Sequence, residues 1–283
     1  MRLASVAKLA VVGHVEWVQF ARVAHVARAG EVAHAHDPFE EPAGGGAVAA
    51  VQLARLGGAC ALITALGEDD HGRRAKERLL ELGVEVRAVA RTRPTRRAVA
   101  FTDDDGERAI TTLGERLEPL GHDRACGWEE LGGTDAAYFT AGDEPALRAT
   151  RAAARVLVAS PRAVHALGHG VPLDALVLSA NDEIEREAAG RAEREAELVV
   201  LTEGAEGGRW RARGGQTGRW QAVAPPAPPV DSYGCGDSFA AGLAYGLGSG
   251  LELGQALVLA ARCGATCLAG SGPYGRQLTA SEL

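Results

Sequence analysis

The sequence is poor in cysteine, and the arrangement of its cysteines argues against a disulfide framework or a zinc site. Five occur in 283 residues. The number is odd, and no two of them form a Cys-x-x-Cys pair. Cys263 and Cys267 are four apart on a predicted helix, where packing as small hydrophobic side chains is the prevailing role. A reducing cytoplasm is therefore the expected compartment.

Long apolar runs and clusters of lysine are also missing. No stretch approaches the ~18 apolar residues that a membrane span needs, and the N-terminal apolar stretch soon meets His14 and Glu16, unlike a secretory signal. Lysine occurs only at Lys8 and Lys76, and the formal net charge is −7, so no basic face for nucleic acid is evident. We expect neither a membrane nor a nucleic acid as a partner.

Two common nucleotide-binding motifs are absent. The chain has no Gly-x-x-x-x-Gly-Lys-Ser/Thr segment, which excludes a P-loop. No complete Gly-x-Gly-x-x-Gly follows the first predicted strand, which disfavours a dinucleotide-binding fold. Any nucleotide must be held in another way.

Short apolar runs alternate with helical patterns along most of the chain. Runs such as 8–13, 60–66 and 198–202 are apolar on both faces, which is typical of a parallel sheet covered by helices on both sides. The sequence therefore predicts an α/β fold. Extended stretches at 18–26, 31–36 and 98–112 lie outside the alternation, and we expect them to pair into a small sheet of their own.

The strongest motif is the segment 231–239, D-S-Y-G-C-G-D-S-F, which opens a glycine- and alanine-rich helix. Gly234 and Gly236 let backbone N–H groups converge at the helix N-terminus, and we expect both to be needed for backbone shape rather than bulk. Gly236→Ala should impair the anion site if that glycine adopts a positive φ. Converging amides and the helix dipole form an anion site. Asp237 is then placed to accept a proton from a hydroxyl while the amides hold a phosphoryl group. Alternatively, Asp237 merely caps the helix.

This segment resembles the D-T-x-G-A-G-D-x-F pattern of the ribokinase-like (PfkB) carbohydrate kinases. Other segments resemble that family in the same order along the chain: G-G-G at 44–46 with A-R-L-G at 54–57, G-E-D-D-H-G at 67–72, L-G-V at 82–84, D-G-E-R at 105–108 and T-E-G-A-E-G at 202–207. The resemblance implies a ribokinase-like three-layer α/β/α sandwich with a mainly parallel central sheet. It also implies a single domain over residues 1–283, with a β lid formed by segments of about 16–40 and 96–114.

The resemblance assigns roles to residues of this chain. Asp237 would be the general base, and the amides of Gly234, Cys235 and Gly236 would form the anion hole. Cys235 stands where alanine is common, a change that should be tolerated because its N–H is what is used. The resemblance further implies ATP and Mg²⁺ and, in many members, a monovalent cation such as K⁺ near Asp231. The nucleotide-binding residues would be Thr202, Gly204 and Gly207, with Gly264 and Gly275 on the adenine side.

The substrate side departs from the family pattern. An asparagine–aspartate pair that holds sugar hydroxyls often follows the first strand, whereas residues 13–18 here read G-H-V-E-W-V. Glu16 either binds substrate hydroxyls or is a solvated strand residue. Gly44 and Gly45 belong to the glycine loop beside the substrate, but the lysine and asparagine often found near Gly45 and Val48 are absent.

The magnesium-associated N-x-x-E element is also altered. The segment 181–185 reads N-D-E-I-E and places isoleucine at the usual glutamate spacing. Glu183 or Glu185 could serve after a shift of one residue. The alternative is an acidic helix start that the helix dipole alone would favour.

The sequence predicts an ATP-dependent kinase that phosphorylates a hydroxymethyl group of a sugar or sugar-like molecule. The alternatives are a nucleoside or vitamin-type alcohol kinase on the same fold, or a non-catalytic nucleotide- or sugar-binding regulator. Trp17 and Phe20 suggest a less hydroxylated, bulkier or aromatic-bearing acceptor, with ribose a poor substrate. The arginines at 91, 93, 96 and 97 either meet a substrate phosphate or form a solvated lid edge. A homodimer through the lid is also expected.

Overall fold

The computed structural model describes residues 8–103 and 108–283, and its strands form two sheets. The strands are β1 (Leu9–Val12), β2 (Glu16–Arg22), β3 (His36–Ala43), β4 (Cys60–Gly67), β5 (Val84–Arg91), β6 (Arg97–Thr102), β7 (Arg108–Leu113), β8 (Thr134–Phe139), β9 (Ala154–Ala159), β10 (Leu173–Ser179), β11 (Ala196–Thr202), β12 (Gly208–Ala212) and β13 (Thr217–Trp220). The turn residues Asp105, Gly106 and Glu107 of the D-G-E-R segment lie outside the described residues.

The α-helices surround the larger sheet. They are α1 (Gly45–Gly57), α2 (Asp70–Glu81), α3 (Glu144–Ala153), α4 (Glu183–Ala189), α5 (Cys235–Gly248) and α6 (Leu253–Leu268). Of the helices in the described part of the chain, none is long and apolar enough to cross a membrane bilayer.

The central sheet has the strand order β13-β12-β11-β10-β9-β8-β1-β4-β5. Strands β11 to β5 in this order run parallel, whereas β12 and β13 add an antiparallel hairpin at one edge. Successive residues of β1 pack on opposite faces of the sheet, since Val11 belongs to one apolar cluster and Val12 to the other. Both faces of the sheet are therefore buried, and the predicted three-layer α/β fold is confirmed.

The strand order reverses direction between β1 and β8. The chain proceeds from β1 to β4 and β5 on one side, and from β8 to β11 on the other. Thr140 N–H donates to the Val12 carbonyl oxygen at 2.9 Å, so the carboxyl ends of β8 and β1 are hydrogen-bonded to each other. In open α/β sheets, ligands bind outside the carboxyl ends of the strands at such a switch point.

The second sheet, here called the small sheet, has the strand order β3-β2-β6-β7. The prediction that these segments pair apart from the central sheet is confirmed, but the strand predicted at 31–36 is wrong. Residues 31–35 lie outside any strand, and the pairing strand is β3, whose sequence is H-D-P-F-E-E-P-A. Its two prolines are compatible with pairing because β3 is an edge strand that bonds to a neighbour on one side alone.

Asp69, from the G-E-D-D-H-G segment at 67–72, connects the central layer to the small sheet. Its side chain caps α2 by accepting from Gly72 N–H at 2.8 Å, and it also accepts from the backbone N–H and the hydroxyl of Thr95 at 2.8 Å. Thr95 stands just before β6 in the chain. This part of the motif thus fixes where the chain enters the small sheet.

Candidate active site

A cleft of about 810 Å³ opens at the carboxyl ends of β8, β9, β10 and β11. It is walled by the N-terminal end of α5, by α6 and by the residues that follow β13. The small sheet contributes Arg108, which donates a hydrogen bond to the Ser232 carbonyl oxygen and lies with its guanidinium carbon 5.7 Å from the centre of the Tyr233 ring. The predicted residues that line this cleft are Glu185, Thr202, Gly204, Gly207, Gly234, Cys235, Gly236, Asp237 and Gly264.

The N-terminus of α5 forms the floor of the cleft. Gly234 is the N-cap residue, with φ 81° and ψ 0°, and a Cβ atom there would lie 2.8 Å from Val48 Cγ1. The helix therefore needs glycine at 234 for conformation and for space. The expectation of positive φ at Gly236 is wrong, because this residue lies inside α5 and a Cβ there would meet no atom within 4 Å.

Asp237 lies in the first turn of α5 and faces the junction between the cleft and the switch point. The interpretation of Asp237 as a helix cap is wrong, since Gly234 occupies the N-cap position without a side-chain hydrogen bond. The Tyr138 hydroxyl donates to Asp237 Oδ1 at 3.5 Å. A Cβ atom at Gly45 would lie 2.8 Å from the same oxygen, so the glycine loop passes directly beside the carboxyl group.

The environment of Asp237 raises its pKa to about 6, chiefly because the carboxyl group is buried. The positive charge of Arg162 opposes this shift, and the negative charge of Glu185 adds to it. Arg162 and Glu185 are themselves ion-paired at 2.6 Å. The pKa of this carboxyl group is thus set close to neutrality, which suits a general base.

Glu16 lies on the other side of Asp237, beyond the end of β1. It is only 5% exposed, so the alternative of a solvated strand residue is wrong. One carboxylate oxygen accepts from the Tyr233 hydroxyl at 3.4 Å, and the other lies 3.2 Å from Arg96 Nε. Burial raises the pKa of Glu16, and the charge of Arg96 opposes this rise. Gly44 N–H also donates to the Tyr233 hydroxyl at 3.4 Å, which brings the glycine loop to the same place.

His14 follows β1 and is 7% exposed. Its pKa is lowered well below the ordinary value, first by burial and then by the charges of Arg116, Arg96 and Arg162, so the imidazole is neutral. Within the residues that the structure describes, His14 Nδ1 is buried without a hydrogen-bond partner. A buried polar atom left unpaired carries a free-energy cost, which a bound hydroxyl would remove.

Of the two aromatic residues of β2 named from the sequence, Trp17 faces away from this site and Phe20 does not. Trp17 points to the opposite side of the strand from Glu16, where Arg74 stacks on its ring at 4.3 Å and His71 lies 5.9 Å away. Phe20 packs between Phe39 and the edge of the Tyr233 ring, with 4.9 Å between ring centres in both cases. Phe20 shares the face of β2 that carries Glu16, and the Tyr233 ring against which it packs carries the hydroxyl that bonds to Glu16.

The two acidic residues predicted to serve Mg²⁺ lie in different environments. Glu185 lines the cleft, where it accepts from Ser179 N–H at 2.8 Å and pairs with Arg162. Glu183 is exposed and lies outside the cleft lining. Asp182 caps α4 by accepting from Glu185 N–H at 3.1 Å. The segment 181–185 is therefore also an acidic helix start, which was the alternative to a magnesium-associated element. Among the described residues, no three His, Cys, Asp or Glu side chains are grouped as a metal site.

Asp231 ties the segment before α5 to the chain that follows α6. Its two carboxylate oxygens accept from Tyr233 N–H at 2.9 Å and from Gly272 N–H at 3.0 Å. Asp231 is 5% exposed, and both of these bonds are buried. These two hydrogen bonds hold the loops before α5 and after α6 together. The role of Asp231 beside a monovalent cation stays a prediction.

The far end of the cleft carries the residues predicted to bind nucleotide. Thr202 ends β11, Gly207 adopts a φ of 81°, and Gly264 packs α6 so closely on α5 that a Cβ there would lie 3.2 Å from the Cys235 carbonyl oxygen. The rings of Trp220 and Phe239 stack at 5.6 Å between ring centres along this wall. Gly275 lies outside the cleft lining, in a turn where a Cβ would come 2.4 Å from the Ser271 carbonyl oxygen.

Sequence reasoning missed several side chains around Asp237 and Glu16. His14 and Tyr138 were not singled out, and Arg96 was considered only as part of an exposed or phosphate-facing run. Arg162 follows β9 in a segment without a recognisable motif. The available signal was position, because His14 and Arg162 follow apolar runs that the alternation predicted to be parallel strands, and ligands bind at the carboxyl ends of such strands.

A family model described as "pfkB family carbohydrate kinase" matches residues 6–131 and 173–279. An ATP-dependent ribose-1-phosphate kinase from Halopiger xanaduensis is 30% identical over 276 residues, which cover 89% of each chain. An acarbose 7(IV)-phosphotransferase from Actinoplanes sp. is 46% identical over 71 residues, and this match spans only 25% of this chain and 24% of that relative. The structure of Arabidopsis thaliana ribokinase complexed with ribose and ATP matches with a TM-score of 0.74 and 18% identity, over 98% of this chain and 97% of that chain.

Proposed function

This chain belongs to the pfkB family of carbohydrate kinases, and on that premise we propose that it transfers the γ-phosphoryl group of ATP to a hydroxymethyl group of a sugar or sugar-like molecule. The observation that carries the proposal is the position of Asp237. Its carboxyl group lies in the first turn of α5 beside the glycine loop, where the nucleotide cleft meets the site around Glu16. An acceptor hydroxyl and a phosphoryl group can both reach this point.

The chemistry assigned to Asp237 is general-base catalysis. The carboxylate accepts the proton of the acceptor hydroxyl as its oxygen attacks the γ-phosphorus. The amides of Gly234 and Gly236 at the start of α5 are proposed as hydrogen-bond donors to the phosphoryl group. The amide of Cys235 donates to the Ser232 carbonyl oxygen at 3.4 Å and would exchange this long bond for one to the phosphoryl group. These donors and the helix dipole stabilise the charge that spreads over the transferred phosphoryl oxygens.

The nucleotide is proposed to lie along the cleft from Thr202 to the start of α5. Gly204 and Gly207 border its sugar and phosphates, and Gly264 borders the adenine. The apolar wall that includes the stacked Trp220 and Phe239 rings suits a planar base. Gly275 shapes the loop after α6 and is assigned no direct contact.

A magnesium ion would neutralise charge on the phosphate oxygens when bound. Glu185 is the carboxylate proposed to serve it, because it lines the cleft while Glu183 does not. Its pairing with Arg162 and Ser179 N–H favours contact with the ion through water rather than direct ligation. Asp231 would support a K⁺ ion through the loops that it holds together.

The acceptor is proposed to bind between the glycine loop and the carboxyl end of β1. Glu16 and His14 supply buried polar atoms for its hydroxyl groups, and Gly44 and Gly45 let the backbone approach closely. Because Trp17 is engaged on the other face of β2, an aromatic acceptor loses the support of that side chain, whereas Phe20 stays beside Tyr233 and Glu16. The two relatives named above, a ribose-1-phosphate kinase and an acarbose phosphotransferase, both act on carbohydrates.

The small sheet is proposed to act as a lid of the single kinase domain. Arg108 from β7 already reaches the segment before α5, and Glu16 from β2 reaches the acceptor site. A closed lid would exclude water, which would otherwise compete for the phosphoryl group.

An acceptor panel tests the proposed function. Purified protein is incubated with ATP and Mg²⁺ and with sugars, sugar phosphates, amino-sugar oligosaccharides, nucleosides and simple alcohols, and ADP release is followed with product identification by mass spectrometry. We expect at least one carbohydrate to raise ADP release well above the rate without acceptor and to yield its phosphate ester. We expect free ribose to be a poor acceptor, because Gly45 and Val48 offer it no polar side chains. A panel in which no compound is phosphorylated would favour a binding regulator.

A further inference from the structure

The Tyr233 hydroxyl lies between two groups of the proposed acceptor site. It donates to Glu16 Oε1 and accepts from Gly44 N–H, with 3.4 Å between the heavy atoms in both hydrogen bonds. The pairing of β2 with β3 brings these two groups together, because it places Glu16 opposite Ala43, the residue before Gly44. A hydroxyl of a bound acceptor would make the same two bonds. The Tyr233 hydroxyl therefore occupies the position of one acceptor hydroxyl.

The Tyr233 ring is held in this buried position by its neighbours. It is 6% exposed, and it stands perpendicular to the Phe20 ring with 4.9 Å between ring centres. Phe20 in turn stacks on Phe39, and the guanidinium group of Arg108 lies on the other ring contact of Tyr233 at 5.7 Å. Moving the ring out would give up these contacts and expose a large apolar surface. We therefore expect Tyr233 to stay in place when an acceptor binds.

The backbone on both sides of this side chain is fixed as well. Tyr233 N–H donates to Asp231 Oδ1 at 2.9 Å, and its carbonyl oxygen accepts from Cys267 Sγ at 3.3 Å. The next residue, Gly234, has a φ of 81°, and a Cβ atom there would lie 2.8 Å from Val48 Cγ1. The segment before α5 therefore has little freedom to carry the ring away from Glu16.

The bond to Tyr233 leaves Glu16 with one carboxylate oxygen for the acceptor. Glu16 Oε2 lies 3.2 Å from Arg96 Nε and, within the part of the chain that the structure describes, has no hydrogen-bond partner. Burial raises the pKa of Tyr233 well above its ordinary value, and the negative charge of Glu16 adds to the rise. The hydroxyl therefore stays protonated and keeps donating to Oε1, so an acceptor meets Glu16 through Oε2.

We propose that Tyr233 determines the acceptor specificity: its hydroxyl replaces one acceptor hydroxyl, and the preferred acceptor is a deoxy-type sugar-like alcohol that has hydrogen at that place. The inference rests on the proposed function, because it concerns the acceptor of the same site. A fully hydroxylated acceptor finds Glu16 Oε1 and Gly44 N–H already bonded, so its extra hydroxyl loses water without gaining these two partners. Tyr233 also stands at the unspecified third position of the D-T-x-G-A-G-D-x-F pattern, where a change of side chain leaves the glycines and the aspartate of the motif intact.

The test uses pairs of acceptors that share a hydroxymethyl group and differ by one hydroxyl. The pairs are ribose and 2-deoxyribose, glucose and 2-deoxyglucose, glucose and 3-deoxyglucose, and adenosine and 2′-deoxyadenosine. The wild type is compared with Tyr233→Phe, which removes only the hydroxyl and keeps the buried ring, and with Tyr233→Thr, which removes the ring too. Tyr245→Phe is the matched control, because Tyr245 is a buried tyrosine of α5 that packs near Gly57 and lies outside the cleft lining.

The measured quantity is the ratio of kcat/KM between the deoxy and the hydroxylated member of each pair. In the wild type we expect this ratio to be about tenfold or more in at least one pair. Tyr233→Phe should lower it by about tenfold, because Glu16 Oε1 and Gly44 N–H become free for the acceptor hydroxyl. Tyr233→Thr should lower it at least as much, and Tyr245→Phe should keep the wild-type ratio. A purely structural role of Tyr233 would reduce kcat/KM for both members equally and leave the ratio unchanged.

Two results would overturn the proposal. One is a wild type that prefers the hydroxylated member of every pair, and the other is a Tyr233→Phe ratio that stays within about threefold of the wild type in every pair. If none of the proteins phosphorylates any compound, the proposed function fails. The specificity is then decided by the Kd values of the same pairs, measured by isothermal titration calorimetry with ADP present and judged by the same ratios. Absence of binding to every compound would also overturn the proposal.

Discussion

Asp237 shows how a single carboxyl group acquires its properties from distant parts of the chain. The segment 231–239 determines only the position of Asp237 in α5, and other parts of the chain determine its pKa. Burial raises its pKa, and Arg162 and Glu185, which follow β9 and β10, act on it in opposite directions. A base with a pKa near 6 is ionised at neutral pH and still able to hold a proton during transfer.

The pH dependence of catalysis should report this balance. Only ionised Asp237 can accept a proton, so kcat/KM should rise as the pH increases through about 6. The charge of Arg162 lowers the pKa of Asp237 and that of Glu185 raises it. Arg162→Gln should therefore move the acid limb of the profile to higher pH, and Glu185→Gln should move it to lower pH.

The pair of variants serves as its own control. Arg162 and Glu185 are ion-paired, so removing one charge leaves the other to act on Asp237 without compensation. The two substitutions should therefore shift the pKa of Asp237 in opposite directions. The measurement is kcat/KM from pH 4.5 to 9 at saturating Mg²⁺. Limbs that shift in the same direction, or that do not shift, would show that another group controls the profile.

The sequence predicted residues that sit in one segment far better than residues that meet through folding. Asp237 and Gly234 are recognisable because the helix start itself imposes their spacing. His14, Arg96 and Arg162 carry no local pattern, since they come from the ends of β1, β6 and β9, which meet only through the packing of the two sheets. The role of Trp17 was misjudged for a related reason: its side of β2 depends on which neighbour, α2 or the acceptor site, packs on each face.

At the scale of elements, the N-termini of α1 and α5 converge on the site. Gly44 caps α1 with φ 87°, and Gly234 caps α5 with φ 81°. The positive ends of both helix dipoles thus point to where negative charge is proposed to gather. The apolar patterns predicted these helices, whereas β3 was missed because an edge strand rich in proline and acid departs from strand propensities.

The two glycines of the α5 start should respond differently to alanine. Gly234→Ala should lower the free energy of unfolding by about 1–3 kcal/mol, because it combines a left-handed backbone with a close approach to Val48. Gly236→Ala should leave it unchanged or raise it by up to about 1 kcal/mol, because this position is helical and open. Urea unfolding at equilibrium measures both values.

One result of the comparison between Gly234→Ala and Gly236→Ala would contradict the structure. Equal destabilisation by the two substitutions would mean that the helix begins at a different residue. Loss of phosphoryl transfer in a stable Gly236→Ala protein would instead be compatible with this structure, because the added methyl group would occupy open space beside the anion hole.

At the scale of the whole molecule, the order of the strands determines where the site can form. The alternation of apolar runs and helices predicted the parallel sheet, because strands buried on both faces have a distinctive composition. It could not predict that β1 lies between β8 and β4, and this placement creates the crevice that Glu16 and Asp237 share. The resemblance to the pfkB family predicted the three-layer sandwich and its lid, and the strand order comes from the structure alone.

The small sheet should also mediate self-association. Ile110 and Leu113 of β7 are 41% and 42% exposed at its edge, and such an edge favours pairing with a second copy. We expect a dimer in sedimentation velocity at micromolar concentration. Leu113→Glu should shift it towards monomer, whereas Val258→Glu, at an exposed position of α6, should not. A wild type that sediments only as a monomer would contradict the lid-mediated dimer.

The central claim is that Asp237 removes the proton of the acceptor, and the most direct measurement compares Asp237→Asn with the wild type in kcat and in ATP affinity. The account predicts a fall in kcat of about 10²–10⁴-fold with an unchanged Kd for ATP. The unfolding free energy at pH 7 should not decrease, because the raised pKa of Asp237 means that its ionised form costs stability above pH 6, and asparagine avoids that cost. A kcat within about threefold of the wild type would contradict the account and remove Asp237 from the chemical step.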